Sequence, residues 1–134
     1  MKKLNSIAYS DRAFNLTMFL LRVGAGILVI PHGYQKLVNF AELKTKFISF
    51  MGIGQVTSLS LAIFAEFFCA IFLIIGLFTR LTVIPLIIVM LTVVFKVNGG
   101  DIFGGGEKGA LFLLAFLAIL FCGPGKASVD AMIR

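Results

Sequence analysis

The feature that most constrains this chain is its first apolar stretch, residues 14–36, which reads FNLTMFLLRVGAGILVIPHGYQK. A helix needs about 20 apolar residues to cross a bilayer, and Phe14–Tyr34 supplies that length. Arg22 lies well inside the stretch, and Pro31 and His32 begin its polar end. Because an arginine at the centre of a membrane helix costs about 2.5–3.5 kcal/mol on insertion scales, we expect Arg22 to have a partner inside the protein.

The composition indicates an integral membrane protein. Hydrophobic residues make up 60% of the 134 residues and charged residues only 13%, whereas a soluble domain carries about 25% charged residues. The net charge of +6 is explained by cations that flank membrane spans and meet anionic lipid headgroups, so we expect the bilayer and no nucleic acid as a partner. Cys69 and Cys122 lie in apolar runs without a CxxC motif, and the sequence assigns them no role.

Four apolar stretches predict an all-α fold. We expect residues 1–134 to form one domain, an integral membrane four-helix antiparallel bundle with a short amphipathic helix between spans 1 and 2. Gly123 and Pro124 form a strong helix stop after the last stretch, which is short for a membrane span. The predicted spans are residues 14–35, 56–78, 81–97 and 107–123.

The segment between the first two spans has helical periodicity. Phe40, Leu43, Phe47 and Phe50 recur at intervals of three and four residues, which predicts an amphipathic helix of about three turns. Two placements stay open. The helix lies in the membrane interface with its phenylalanines at the acyl boundary, or it packs as a lid over the end of the bundle.

The distribution of cations predicts the orientation. Four spans place both termini on one side of the membrane, and the positive-inside rule favours the cytoplasmic side for them. The predicted terminal side carries slightly more cations, namely Lys2, Lys3, Arg12, Arg80, Lys126 and Arg134. The other side carries Lys36, Lys44, Lys46, Lys96 and Lys108.

Glu66 is the single acid of the second predicted span. It lies on a stripe of small residues, where membrane helices approach each other closely, so it is expected to face the interior. At 1.5 Å per residue, the depths of Arg22 and Glu66 agree to within about 6 Å. We therefore predict a buried Arg22–Glu66 ion pair. It either fixes the helix register or leaves Glu66 to carry protons, and the sequence does not separate the two.

A second set of polar residues lies near the predicted outer ends of spans one, three and four. Up-down bundles place the first and last helices side by side, so His32, Lys36 and Glu107 are predicted to line one pocket. Together with Glu66 they are the candidate catalytic groups. The alternative is a Lys36–Glu107 surface pair, with His32 facing lipid headgroups. The candidate ligand-binding residues are His32, Gln35, Lys36, Lys96 and Glu107.

Metal and nucleotide cofactors are not expected. One histidine without ligating cysteines makes a poor metal-binding set. Residues 104–109 match G-x-G-x-x-G, but no βαβ unit surrounds them, so the match does not predict a dinucleotide site.

Several pieces of the chain, in their order, resemble the DoxX family of small four-helix membrane proteins. The resemblance covers about Leu21 to Asp130. It implies a bacterial inner-membrane protein related to the membrane subunits of quinone-reducing enzymes such as thiosulfate:quinone oxidoreductase, with quinone as the candidate ligand. The pieces are Leu21-Arg22, Pro31-His32-Gly33-Tyr34-Gln35-Lys36, Glu66, Gly76-Leu77-Phe78-Thr79-Arg80, Glu107, Gly123-Pro124-Gly125 and Ser128-Val129-Asp130.

Two functions from different classes follow. In the first, the chain is the membrane subunit of a quinone-linked oxidoreductase with a soluble or membrane partner. His32 and Lys36 bind the quinone head, and Glu66 or Glu107 handles protons. In the second, it is a non-catalytic scaffold, chaperone or accessory subunit for a partner protein. The polar residues gathered at one end favour the first, and the lack of a redox motif favours the second. Homo-oligomerisation is left open.

Overall fold

The computed structural model describes residues 6–47, 49 and 52–133, and every regular element in these ranges is helical. The predicted all-α class is confirmed. The helix α3 contains a π-helical segment at Phe64–Cys69, and α4 ends in another at Val93–Val97. The helices are α1 Asp11–Val38, α2 Phe40–Leu43, α3 Gln55–Ile75, α4 Thr79–Val97, α5 Glu107–Cys122 and α6 Val129–Met132.

Three of these helices, α1, α3 and α4, are long and apolar enough to cross a membrane. They correspond to the predicted spans 14–35, 56–78 and 81–97. The second ends at Ile75 rather than residue 78, because Gly76 adopts the left-handed conformation (φ 76°) that closes a helix. The helix α5 has only 16 residues, which is shorter than the roughly 20 residues that a typical span requires.

The four long helices pack in a closed ring. The helix α1 packs against α3 and α5, and α4 packs against the same two helices. Adjacency of the first and last predicted spans is therefore found in the structure. The core between the helices is apolar, and Val29, Leu73, Leu86 and Phe116 in it are inaccessible to solvent.

The outer surface of these helices is apolar as well. Leu20, Ile27, Leu61, Ile84 and Leu111 are all exposed, and they come from all four long helices. Soluble monomers rarely leave such large contiguous apolar areas uncovered. Lipid is the natural cover for a surface of this kind.

The segment between α1 and α3 differs from its prediction. Its described part is α-helical at Phe40–Leu43 and continues as turns over residues 44–46, rather than forming three helical turns. A short helix is marginal unless it packs an apolar face against the protein, and Glu42, Lys44 and Lys46 are exposed. Phe50 and the predicted cations Lys2, Lys3 and Arg134 lie outside the described residues.

Candidate functional site

Two glycines set the separation and register of α1 and α3. A Cβ atom on Gly33 would lie 2.7 Å from the backbone carbonyl carbon of Glu66, and one on Gly26 would lie 2.6 Å from Cγ1 of Ile74. Larger residues at these positions would therefore push the helices apart, which is why small residues mark such contacts. The contacts place Gly33 level with Glu66 and Gly26 level with Ile74.

Lys36 forms an ion pair with Glu66. Lys36 lies about one turn beyond Gly33, and side chains on a helix tilt towards its amino end, so its long side chain extends back to the level of Glu66. The Nζ atom lies 2.5 Å from Oε2 of Glu66, and the two side chains are 23% and 3% exposed, respectively. The pair is therefore largely removed from solvent, in the part of the chain that is apolar enough to lie in a membrane.

The pair lies on the wall of a cavity of about 510 Å³ between α3 and α4. Its other walls are mainly apolar and include Phe47 from the segment after α1. Ser58 and Thr92 also line it, but their hydroxyl groups donate to the carbonyl oxygens of Gly54 and Ile88. The ammonium and carboxylate are thus the charged groups on an otherwise apolar wall.

Glu66 lies within the π-helical segment of α3, Phe64–Cys69. A π-helical turn contains more residues than an α-helical turn, so it changes which residues face the neighbouring helices beyond it. Such segments are rare and occur frequently at functional sites. No pattern in the sequence predicted this segment.

Arg22 does not pair with Glu66, and the prediction is corrected on this point. Its Nη1 donates to the carbonyl oxygens of Leu73 at 3.0 Å and Ile74 at 2.5 Å, and its Nη2 donates to Ala127 at 2.5 Å. The physical reason is the helix stagger. Glu66 faces Gly33, and Arg22 lies eleven residues before Gly33, about 16 Å away along α1.

The segment after α5 returns to Arg22 and joins three helices. We call residues 123–130 the tail clasp. The carboxylate of Asp130 accepts hydrogen bonds from the backbone N–H groups of Phe78 (2.7 Å) and Thr79 (2.8 Å), and so caps α4. Its own N–H donates to the carbonyl of Gly76 at 2.9 Å. The clasp therefore holds α1, α3 and the start of α4 at one end of the protein.

The remaining predicted site residues lie elsewhere. His32, Gln35, Lys96 and Glu107 are exposed and do not line the cavity. The His32 ring meets Phe112 of α5 edge to face, with a centroid separation of 6.3 Å, so it lies on the α5 side of α1. The structure thus brings Lys36 together with Glu66 rather than with His32 and Glu107.

The Lys36–Glu66 pair was missed, although the sequence carries a signal for it. Gly26 and Gly33 are seven residues apart and mark one face of the first span as a close helix contact. Lys36 shares that face with Gly33, because residues three apart are neighbours on a helix. That face therefore predicts a partner for Lys36 on the helix that contacts α1.

An all-helical chain with three membrane-length helices, an apolar outer surface and buried charges defines a small helical membrane protein. The family model of DoxX matches residues 17–99, well over half of the chain, and the chain belongs to the DoxX family. The matched region contains Lys36, Glu66 and the whole lining of the cavity. No curated protein and no solved structure shows significant similarity to the chain.

Proposed function

We propose that this protein binds a small lipophilic carbonyl compound, of the quinone class, in the cavity between α3 and α4. It would do so as the membrane subunit of a quinone-linked oxidoreductase. The observation that carries the proposal is the Lys36–Glu66 ion pair on the wall of an apolar cavity. Among the described residues that line the cavity, Lys36 and Glu66 are the two that carry a charge.

The chemistry of the wall suits a ligand with one polar end. A lysine ammonium has three N–H donors, and the contact to Glu66 uses one of them. The others can donate to a ligand carbonyl, and the neighbouring carboxylate can accept from a hydroxyl group. Ligand sites are typically apolar clefts of about 300–1,000 Å³ with a few placed polar groups, and the cavity of about 510 Å³ fits that description.

The mouth of the cavity is apolar. Leu61, Phe64 and Ile88 line the cavity and are also between 44% and 51% exposed. A ligand that is dissolved in the bilayer can enter past these side chains without crossing water. This route favours a membrane-borne ligand such as a quinone over a water-soluble metabolite.

The proposed setting is the bacterial inner membrane, with four spans and both termini in the cytoplasm. The helix α5 acts as the fourth span, because it completes the ring with α1 and α4, and a short span can be accommodated by local thinning of the bilayer. Arg12, Arg80 and Lys126 are exposed at the end of the protein that carries the tail clasp. Their positive charge supports a cytoplasmic position for that end.

Quinone retention by variants of the purified protein tests the proposal. Delipidated protein is equilibrated with a short-chain ubiquinone and a short-chain menaquinone, and retained quinone is measured by mass spectrometry. The double variant Lys36→Met/Glu66→Leu removes both charges and is expected to retain much less quinone. The control Lys96→Met/Glu107→Leu removes the same charges at exposed positions and is expected to retain as much as the unmodified protein. Equal retention by all three proteins would overturn the proposal.

A scaffold for a partner protein is the second candidate. The observation that favours it is the tail clasp, in which polar groups only join helices to one another. On this reading Lys36 and Glu66 also serve only to fix α1 against α3. The scaffold function predicts that Lys36→Met/Glu66→Leu loses thermal stability. Quinone retention would be low in the unmodified protein and in both variants, and would not differ between them.

A further inference from the structure

We infer that the protein has a seat for one anionic phospholipid at the end that carries the tail clasp. The seat is a groove of about 570 Å³ between the start of α1 and the segment after α5. Arg12 and Lys126 line it, together with Leu16 and Phe19, which we call its floor. Its lining residue nearest to Lys36, Phe19, lies about 25 Å from Lys36 along α1, so the groove is separate from the cavity proposed for the quinone.

The charges at the groove select an anion. Arg12 and Lys126 are exposed cations from different parts of the chain, and both line the groove. Asp11 also lines it, so the three groups leave a net charge of about +1 beside the headgroup position. One phosphate with no compensating cation, as in phosphatidylglycerol, matches this charge better than a zwitterionic headgroup does.

The floor of the groove continues in the direction of an acyl chain. Leu16 and Phe19 follow Arg12 by four and seven residues, so the three side chains lie on one face of α1, in order towards the interior of the membrane. Leu16 is 58% exposed and Phe19 is 39% exposed. A cation followed by an apolar strip matches a lipid, because the cation can bind the headgroup and the strip can contact the acyl chain. A soluble phosphate would leave the apolar strip without a contact.

The groove is preformed, because contacts within the protein hold its lining residues in place. The backbone N–H of Lys126 donates to Oδ1 of Asn15 at 3.1 Å, and the next carbonyl, of Ala127, accepts from Arg22. The Arg22 guanidinium also lies 5.7 Å above the ring of Phe19. These contacts hold Lys126 beside α1 and fix the aromatic floor, which reduces the cost of ordering the site on binding.

Native mass spectrometry of the full chain in detergent tests the inference. Delipidated protein is titrated with dioleoylphosphatidylglycerol and, separately, with dioleoylphosphatidylcholine, and the apparent Kd of the first bound lipid is measured. We expect tighter binding of phosphatidylglycerol. The variant Arg12→Gln/Lys126→Gln should weaken this binding by about fivefold for each cation removed, and it should bind the two lipids with similar affinity.

The matched control is Lys44→Gln/Lys46→Gln, which removes two exposed cations far from the groove and leaves Lys2 and Lys3 in place. It should keep the preference for phosphatidylglycerol. The inference is overturned if the control loses as much affinity as the groove variant, or if the unmodified protein binds both lipids equally. Melting curves without added lipid should coincide for the two variants, because each removes only exposed charges.

Discussion

At the scale of single residues, the Lys36–Glu66 pair combines a short contact with low exposure. Each charge compensates the desolvation of the other, since the Glu66 side chain is only 3% exposed. The pair therefore contributes little when both members are present and costs much when one is missing.

Removal of Lys36 alone should be more harmful than removal of the pair. We expect Lys36→Met to lower the free energy of unfolding by about 3–5 kcal/mol, because it leaves a buried carboxylate unpaired. The loss in Lys36→Met/Glu66→Leu should be smaller than the sum of the two single losses. Unfolding in mixed micelles measures both, with the exposed Lys96→Met as the control. Strictly additive losses would contradict the coupling.

The Arg22 site should distinguish arginine from lysine. Arg22 is 1% exposed and uses two nitrogens to reach three carbonyl oxygens on two segments. A lysine ammonium cannot reproduce this planar fork, so we expect Arg22→Lys to cost about 2 kcal/mol of unfolding free energy. Arg12→Lys, at an exposed position, should change stability by less than about 0.5 kcal/mol. Equal melting temperatures for the two variants would show that charge alone matters at residue 22.

The sequence predicted that Arg22 and Glu66 each need a partner, and it named the wrong one for both. The cost of burying a charge can be read from hydropathy alone, because it depends only on depth in the apolar run. The identity of the partner depends on how far α1 is shifted along α3. That shift is set by the close contacts of Gly26 and Gly33. The third acceptor of Arg22 comes from Ala127, which is more than 100 residues away in sequence.

At the scale of elements, the four long helices begin and end within about three residues of the bounds predicted for the spans, because long apolar runs and glycine stops mark them. The segment after α1 was predicted less well, since its phenylalanine spacing does not reveal whether a surface is present to pack against. The π-helical segments gave no sequence signal.

Two glycines of α1, Gly33 and Gly24, differ in how much space the α1–α3 contact leaves for a side chain. At Gly33 an added Cβ would meet backbone atoms of Glu66 and Phe67 at 2.7 and 2.8 Å, whereas at Gly24 it would meet nothing within 4 Å. We expect Gly33→Ala to separate the helices, lower the melting temperature and weaken quinone retention. Gly24→Ala should be neutral or slightly stabilising, because alanine favours helix by up to about 1 kcal/mol over glycine. If both variants melt alike, the close contact is not formed in the membrane.

At the scale of the whole molecule, the ring of four helices places the cavity at one end and the tail clasp at the other. A chain that crosses the membrane four times must then have Ser6 and the clasp on the same side. In a background without Cys69 and Cys122, we expect Ser6→Cys to react with a membrane-impermeant thiol reagent only after the cells are opened. Lys44→Cys should react in intact spheroplasts. Reaction of Ser6→Cys from outside would reverse the proposed orientation.

Because the tail clasp is synthesised last, its contacts with the helices are the last ones that can form. Residues 123–130 follow all four long helices, and a ribosome adds about 5–20 residues per second. Arg22 therefore enters the bilayer before Ala127 has been made, and it first meets the carbonyls of Leu73 and Ile74 when α3 arrives. Its third acceptor, and the Asp130 cap on α4, come only with the clasp. A nascent chain stalled before residue 127 therefore lacks one of the three carbonyl acceptors of Arg22 and also the Asp130 cap on α4.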